Sequence, residues 1–363
     1  MASATFGPPP SPGIGLDAVA GHASARAFLA ARVRARALPH ALLFSGPRGV
    51  GKRTLAQALA ADHFCATGRG CASCRDCGAL LRGHHAALRT VSIPEGKSAI
   101  PIDAIQQLSH ELSLRPLDER GRVVLIAGAD RMTAPAQDAL LKTLEEPPPG
   151  NVLVLTSVRP DALLPTIRSR CQRFALAPLS DREVESVAER LGLKLAVPVA
   201  VAGGCPGALV ELVDPAFEKL RRGVAALLAD ARGGDDLARW ITLLHHDGHD
   251  GGHDGHEGPT RPAKEVETAE LRARARRLLS IVASLVRDAV VLRASHGAGT
   301  IRNADQLERL RAIAVRPEWA DASAALGRLA RAHDRLEGNV DPASALYCAL
   351  HPAADEAAQA SES

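Results

Sequence analysis

A short apolar run followed by a glycine-rich loop constrains the fold of this chain more than any other feature. Residues 41–45 read ALLFS, residues 46–51 read GPRGVG, and a helix-forming stretch runs from Lys52 to about Phe64. A buried strand, a tight glycine turn and a helix in this order bring backbone N–H groups to a helix N-terminus, where they can bind phosphate. The order therefore predicts a parallel α/β domain built around a phosphate-binding loop.

The loop departs from the G-x-x-x-x-G-K-[ST] pattern at its last position. Arg53 stands where a Ser or Thr would ligate Mg²⁺, and Thr54 follows one residue later. One residue corresponds to a rotation of about 100° around a helix, so Thr54 is poorly placed to take over that role. Two interpretations stay open, a loop that still binds nucleotide and a glycine turn that only joins strand to helix. The candidate nucleotide-binding residues are Gly46, Gly49, Gly51, Lys52 and Thr54.

A second aliphatic run lacks the acidic pair that ATP hydrolysis requires. RVVLIAG, residues 122–128, ends in Ala127 and Gly128, and the first carboxylate after it is Asp130. A hydrolysing site needs one carboxylate to hold Mg²⁺ and another group to orient the attacking water. Because both metal functions are missing together, the sequence predicts that the chain has no ATPase activity of its own.

Four of the seven cysteines form a C-x5-C-x2-C-x2-C cluster. Four thiolates at this spacing can surround a tetrahedral Zn²⁺, and no catalytic acid lies nearby in the sequence. We interpret the cluster as a structural clip on the loop after the phosphate-loop helix, with chance clustering as the alternative. The candidate metal ligands are Cys65, Cys71, Cys74 and Cys77.

The rest of the chain divides into segments of different character. NVLVLTS, residues 151–157, predicts a further buried strand, and strand signals fade after Cys171. Ser180 can cap the first helix of a small helical unit, and amphipathic helices follow. The predicted organisation is a disordered N-terminus over 1–13, an α/β domain over 14–176 that carries the cysteine module at 65–77, a small helical domain over 177–212, an all-helical domain over 213–352 and a disordered tail over 353–363.

One segment interrupts the helical part. Residues 245–258, HHDGHDGGHDGHEG, contain five histidines and no apolar residue, so they cannot bury a hydrophobic face. We expect a flexible loop there, with metal chelation as the alternative.

Charge and hydropathy exclude several classes of protein. The chain has 44 basic and 41 acidic residues, a balance that by itself implies neither a nucleic-acid nor a membrane surface. The longest uncharged apolar run, residues 195–210, is broken by prolines and glycines and is too short to span a bilayer. The N-terminus has no secretory signal pattern, so we expect a cytoplasmic protein.

Residues 139–171, ALLKTLEEPPPGNVLVLTSVRPDALLPTIRSRC, resemble the bacterial clamp-loader branch of the AAA+ ATPases. LPHALLFSGPRGVGK, the four-cysteine module, SRCQRFALAPLS and NVDPASAL are similar to the same family, so the resemblance covers roughly residues 16–352. It implies a P-loop α/β domain with a parallel sheet, a small helical lid domain and an all-α C-terminal collar domain that joins a hetero-oligomer.

Within that family the missing metal functions favour the δ′ branch over the ATP-hydrolysing γ/τ branch. The resemblance then implies structural Zn²⁺ and a role in the DNA polymerase III holoenzyme. Its implied partners are the γ/τ and δ subunits, the β sliding clamp and, through the complex, primed DNA, with no membrane. Arg170, in SRC, would act in trans as an arginine finger on the γ-phosphate bound by a neighbouring subunit. Two alternatives stay open, an ATPase-competent γ/τ-type motor and, from another class, a zinc-dependent DNA-binding protein.

Overall fold

The structure is a computed structural model that describes residues 13–114, 120–230, 237–245, 263–295, 301–337 and 340–362. Two compact units are present, one running to Leu193 and including Gly203–Ala208, the other comprising Lys194–Ala202 and the residues from Leu209 onward. Most of the predicted N-terminal segment, and the histidine-rich segment after His245, lie outside the described residues.

A parallel five-stranded sheet forms the centre of the first unit, in the order β2-β3-β4-β1-β5. Its strands are β1 (Ala41–Ser45), β2 (Leu88–Val91), β3 (Arg122–Ala127), β4 (Asn151–Ser157) and β5 (Gln172–Ala175). The central strands are continuous apolar runs because helices cover both faces of a parallel sheet. The register pairs Ser45 with Ser157 and Ala127 with Thr156, so the carboxyl ends of β1, β3 and β4 meet at one edge.

Among its described residues, the first unit also contains seven α-helices, three of which begin at a side-chain cap. They are α1 (Ala23–Arg34), α2 (Lys52–Phe64), α3 (Arg75–Leu81), α4 (Ile102–Ser113), α5 (Ala134–Glu145), α6 (Pro165–Arg170) and α7 (Asp181–Arg190). The Thr133 side chain caps α5, and Ser180 forms a capping box with Glu183 at the start of α7. Ile105 of α4 and Leu140 of α5 share one buried cluster with Leu153 of β4, which fixes these helices on the sheet.

Every regular element that the structure describes in the second unit is a helix. Its helices are α8 (Leu209–Leu212), α9 (Pro215–Ala229), α10 (Leu237–His245), α11 (Ala263–Ser295), α12 (Leu307–Ala314), α13 (Ala322–Glu337), α14 (Pro342–Leu350) and α15 (Pro352–Glu362). Trp240, Leu285 and Leu310 are fully buried in its core. Across the described part of the chain, no helix has the length and apolarity needed to cross a membrane.

The three strands predicted from aliphatic runs are confirmed, and the sheet has two more. β5 begins directly after Cys171, where the strand signal was expected to fade, so that expectation was wrong. Both additional strands lie at the edges of the sheet and carry exposed polar residues such as Arg89 and Arg173. An edge strand pairs on one side only and tolerates charged residues. A search for apolar runs in the sequence therefore does not detect it.

The tail over 353–363, predicted to be disordered, instead forms α15 up to Glu362. Asp355 is only 1% exposed and accepts hydrogen bonds from Arg331 and Arg335 of α13. A small, polar composition argued for disorder, but these charge-assisted bonds to a distant helix hold the segment in place.

Candidate functional site

The glycine loop joins β1 to α2 in the geometry of an anion site. Gly51 precedes α2 with a φ of 106°, and no side chain caps the first turn of that helix. The N–H groups of an uncapped first turn need an acceptor and favour negative charge. The Lys52 ammonium donates to the carbonyl oxygens of Gly46 and Pro47, each at 2.7 Å. Burial lowers the pKa of Lys52, whereas the nearby groups of Asp130 and Cys205 raise it.

A pocket of about 780 Å³ opens beside this loop, at the carboxyl ends of the parallel strands. Ala127 at the end of β3, Gly128 directly after it, and Thr156 and Ser157 of β4 line the pocket. The Thr156 hydroxyl already accepts a hydrogen bond from the Gly128 N–H at 3.0 Å. The buried Ser157 hydroxyl has no hydrogen-bond partner among the described residues, so it is a polar group that a ligand could satisfy.

The charged side chains described in the lining of this pocket are all cations. Its lining includes the cations Arg48, Lys52, Arg53 and Arg190, and none of the described residues that line it is a carboxylate. Asp130 lies outside the lining, where its carboxylate accepts a hydrogen bond from the Val158 N–H at 3.2 Å. The described lining therefore suits an anion and contains no acidic group that would hold Mg²⁺ or activate water.

The predicted nucleotide-binding residues fall into two groups. Gly46, Gly49, Gly51 and Lys52 belong to the loop, and Lys52 and the two later glycines line the pocket. Thr54 also lines the pocket, but it and Arg53 are exposed to solvent. Arg190, which sequence reasoning missed, reaches the pocket from α7 and donates to the Ala18 carbonyl at 2.9 Å.

A backbone contact closes one side of the loop. The Gly207 N–H donates to the Gly49 carbonyl at 2.9 Å, and a Cβ added at Gly207 would lie 2.7 Å from the Gly49 Cα. Only glycine fits this close approach, so position 207 contributes no side chain to the pocket.

Arg170 is the last residue of α6, and its side chain is 35% exposed. Its guanidinium donates to the Thr166 carbonyl at 3.1 Å and pairs with Glu145, with 2.8 Å between Nη2 and Oε1. The pairing with Glu145 has no signature in the sequence, because it joins the ends of two different helices. Next to it, burial raises the pKa of the Cys171 thiol to about 11, so this cysteine stays protonated and is a poor nucleophile.

The four clustered cysteines converge after α2. Their sulfur atoms all lie within 4.8 Å of one another, and the Cys74 side chain caps α3 by accepting from the Cys77 N–H. Burial opposes ionisation of Cys65, but hydrogen bonds from the Thr67 hydroxyl and backbone amides lower the pKa of this thiol to about 5. Burial raises the pKa of Cys77. The structure thus brings all four predicted ligands together in one cluster of thiols.

The donor set fits a tetrahedral ion. Sulfur atoms bound to zinc at about 2.3 Å lie about 3.8 Å apart, so only a small closure of the observed cluster is needed. Four thiolates at this separation would repel one another strongly, and a divalent cation removes that repulsion.

Together, these features define the class of protein. A parallel sheet in this order, with a phosphate loop after β1 and an arginine at the end of the helix before β5, is an α/β P-loop domain of the AAA+ class. Residues 21–180 match the family model described as "DNA polymerase III, delta subunit". Over these residues the chain is similar to that family.

Individual relatives agree with this family. The chain is 41% identical over 150 residues to DNA polymerase III subunit delta′ of Bacillus subtilis, covering 41% of this chain and 45% of the relative. It is 32% identical over 226 residues to delta′ of Yersinia pestis, covering 57% and 65%. Identity to the gamma/tau subunit of Mycobacterium tuberculosis is 31% over 176 residues, covering 48% and 30%. The matches thus span 45% and 65% of the length of these two delta′ relatives.

Proposed function

We propose that this chain is a δ′-type clamp-loader subunit that does not hydrolyse ATP and supplies Arg170 to a neighbouring ATPase subunit. The observation that carries the proposal is the pocket beside the glycine loop, which is lined by cations and by no carboxylate among the described residues. An anion site without metal ligands can hold a nucleotide or stand empty, but it has no means of activating water. Lys52 and the open first turn of α2 leave nucleotide binding without turnover compatible with this function.

Arg170 is the group that acts on the reaction in this proposal. Its fixed guanidinium would approach the γ-phosphate bound by an adjacent γ/τ subunit and stabilise charge that develops during transfer. The exposure of Arg170 at the end of α6 supports this role, because a finger must be reachable by another subunit. The pocket beside the glycine loop of this chain takes no part in that chemistry.

The proposed assembly follows from the same family. The partners would be the γ/τ and δ subunits, and the complex would open the β sliding clamp and release it around primed DNA in the cytoplasm. The helices over 213–352 would form the collar, and residues 177–212 would form the lid. This chain would be the rigid member against which ATP-loaded neighbours move.

We also propose that Cys65, Cys71, Cys74 and Cys77 hold a structural Zn²⁺. Bound zinc would fix the loop between α2 and α3, and it would do no catalysis because all four positions are protein thiolates. Metal analysis of the purified chain should find one zinc per chain, and the Cys74→Ser variant should lose it and melt at lower temperature. A metal-free chain of unchanged melting temperature would contradict a zinc clip.

The test of the function is ATP binding and steady-state hydrolysis by the purified chain, with and without Mg²⁺. We expect no turnover above background, whether or not nucleotide binds. Mg²⁺-dependent hydrolysis that is lost in the Lys52→Ala variant would establish the alternative, a γ/τ-type motor. A reconstituted complex with γ/τ and δ then tests the positive role, since Arg170→Ala should lower its DNA-stimulated ATPase without dissociating it.

A further inference from the structure

The Arg170 guanidinium is held at two points. Nη1 donates to the Thr166 carbonyl, one turn earlier on α6, at 3.1 Å. Nη2 lies 2.8 Å from Oε1 of Glu145, the last residue of α5. The first contact is internal to its own helix, whereas the second ties the side chain to a different helix. Glu145 is therefore the group that fixes Arg170 relative to the rest of the α/β unit.

We infer that Glu145 is a positioning residue, which orients Arg170 before the neighbouring nucleotide arrives. The inference rests on the proposed function of Arg170 as a finger. Glu145 itself would not touch the phosphate. Its contribution would be to reduce the orientations that the guanidinium samples, so that less ordering remains to be done in the transition state.

The donor count allows this role. A guanidinium carries five N–H donors, and the two contacts described use one on each terminal nitrogen. Three donors remain for a phosphate, so the pairing with Glu145 need not break when Arg170 engages. A long, partly exposed arginine without such a contact would lose more side-chain entropy on being fixed.

The adjacent residue offers a matched control. Glu146 carries the same charge at the same helix end, is exposed, and has no ion-pair partner within the described ranges. A second comparison is the pair formed by Arg168 and Asp161, 2.5 Å apart, which is also at α6 but does not involve the finger. Among the described residues, Glu145 is the carboxylate that contacts Arg170.

The experiment measures DNA-stimulated ATPase of the clamp loader reconstituted with γ/τ, δ and variants of this chain. Glu145→Ala should lower kcat about two- to fivefold, the range expected from the worth of a partly exposed ion pair. KM for ATP should stay the same, because a finger acts mainly in the transition state. Glu145→Gln keeps an acceptor for Nη2 and should recover part of the loss. Glu146→Ala and Asp161→Asn should behave as wild type.

The outcomes separate this inference from the function on which it rests. If Arg170→Ala lowers kcat and Glu145→Ala leaves it unchanged or raises it, Glu145 does not position the finger and the inference is wrong. If Arg170→Ala has no effect, the proposed function itself fails. An equal loss in Glu145→Ala and Glu146→Ala would indicate a general charge effect and would also overturn the inference.

Discussion

At the scale of single residues, the first unit buries the carboxyl of Asp62. Its residue is 4% exposed, and burial raises the pKa of this carboxyl to about 7, although the Leu16 N–H donates to it. Its second oxygen has no hydrogen-bond partner among the described atoms. A Cβ added at Gly15 would lie 1.9 Å from that oxygen and 2.8 Å from the Arg69 carbonyl oxygen, so a larger residue would force the backbone to shift.

Asp62 should make the stability of the chain depend on pH. Because its folded pKa lies above the unfolded value of about 3.9, the folded state binds more protons in between, and stability falls as pH rises from about 4 to about 7. Asp62→Asn stays neutral and keeps an acceptor for Leu16. We expect the free energy of unfolding of this variant to exceed that of wild type by roughly 1–3 kcal/mol at pH 8 and by much less at pH 5. Denaturant unfolding at both pH values measures the difference.

An equal gain at both pH values would show that the ionisation of Asp62 is not the cause. Ser180→Ala serves as a control, since it removes a helix cap and should cost about 1 kcal/mol at either pH.

At the scale of elements, a buried polar network joins α9 to α11 and to the turn before α12. Arg221 of α9 is 1% exposed and donates to Asn303 at 3.1 Å and to Asp305 at 3.0 Å. Asp288 of α11 is fully buried and accepts from the Asn303 N–H at 2.7 Å. Because these groups bond to one another inside the unit, removal of one leaves a buried charge or amide without that partner.

Asp305→Ala should therefore destabilise the second unit by about 3 kcal/mol, since it leaves the buried Arg221 cation without its carboxylate. Arg221→Met should cost less, because Asp305 is 29% exposed and can be solvated by water. Glu308→Ala, which removes an exposed pair with Arg311, should change stability by less than about 0.5 kcal/mol. Thermal or urea unfolding ranks the three variants. An equal loss of stability in Asp305→Ala and Glu308→Ala would mean that burial of the ion pair does not increase its contribution to stability.

At the scale of the whole molecule, the near balance of charge bears on the DNA-binding alternative. The chain has a formal net charge of +3, from 44 basic and 41 acidic residues. Affinity for nucleic acid comes largely from cations that neutralise phosphates, so a balanced chain has little general attraction to DNA. In the proposed function, DNA is contacted through the complex as a whole.

We therefore expect the isolated chain to bind primed DNA no more tightly than about 10 µM at physiological salt, within the range of non-specific binding. Fluorescence anisotropy with a labelled primed duplex, titrated at low and physiological salt, measures this. Submicromolar, salt-sensitive binding that disappears in Cys74→Ser would instead support a zinc-dependent DNA-binding protein.

Local sequence determined much of this protein. The strands β1, β3 and β4 and the helix α2 follow from short apolar runs and a glycine loop, because burial and turn geometry act within a few residues. The capping box at Ser180 and the closely spaced cysteines are likewise local. Arg53 and the carboxylate-free end of β3 could be seen without a structure, since they are departures from a fixed spacing.

Tertiary structure decided what depends on residues far apart in the chain. The edge strands β2 and β5 exist because a neighbouring strand offers hydrogen bonds, and α15 is ordered because Asp355 meets two arginines of α13. The pairing of Arg170 with Glu145 and the entry of Arg190 into the pocket also require the fold. Propensity and spacing report only neighbours along the sequence, whereas these interactions form only after the packed elements bring distant charges together.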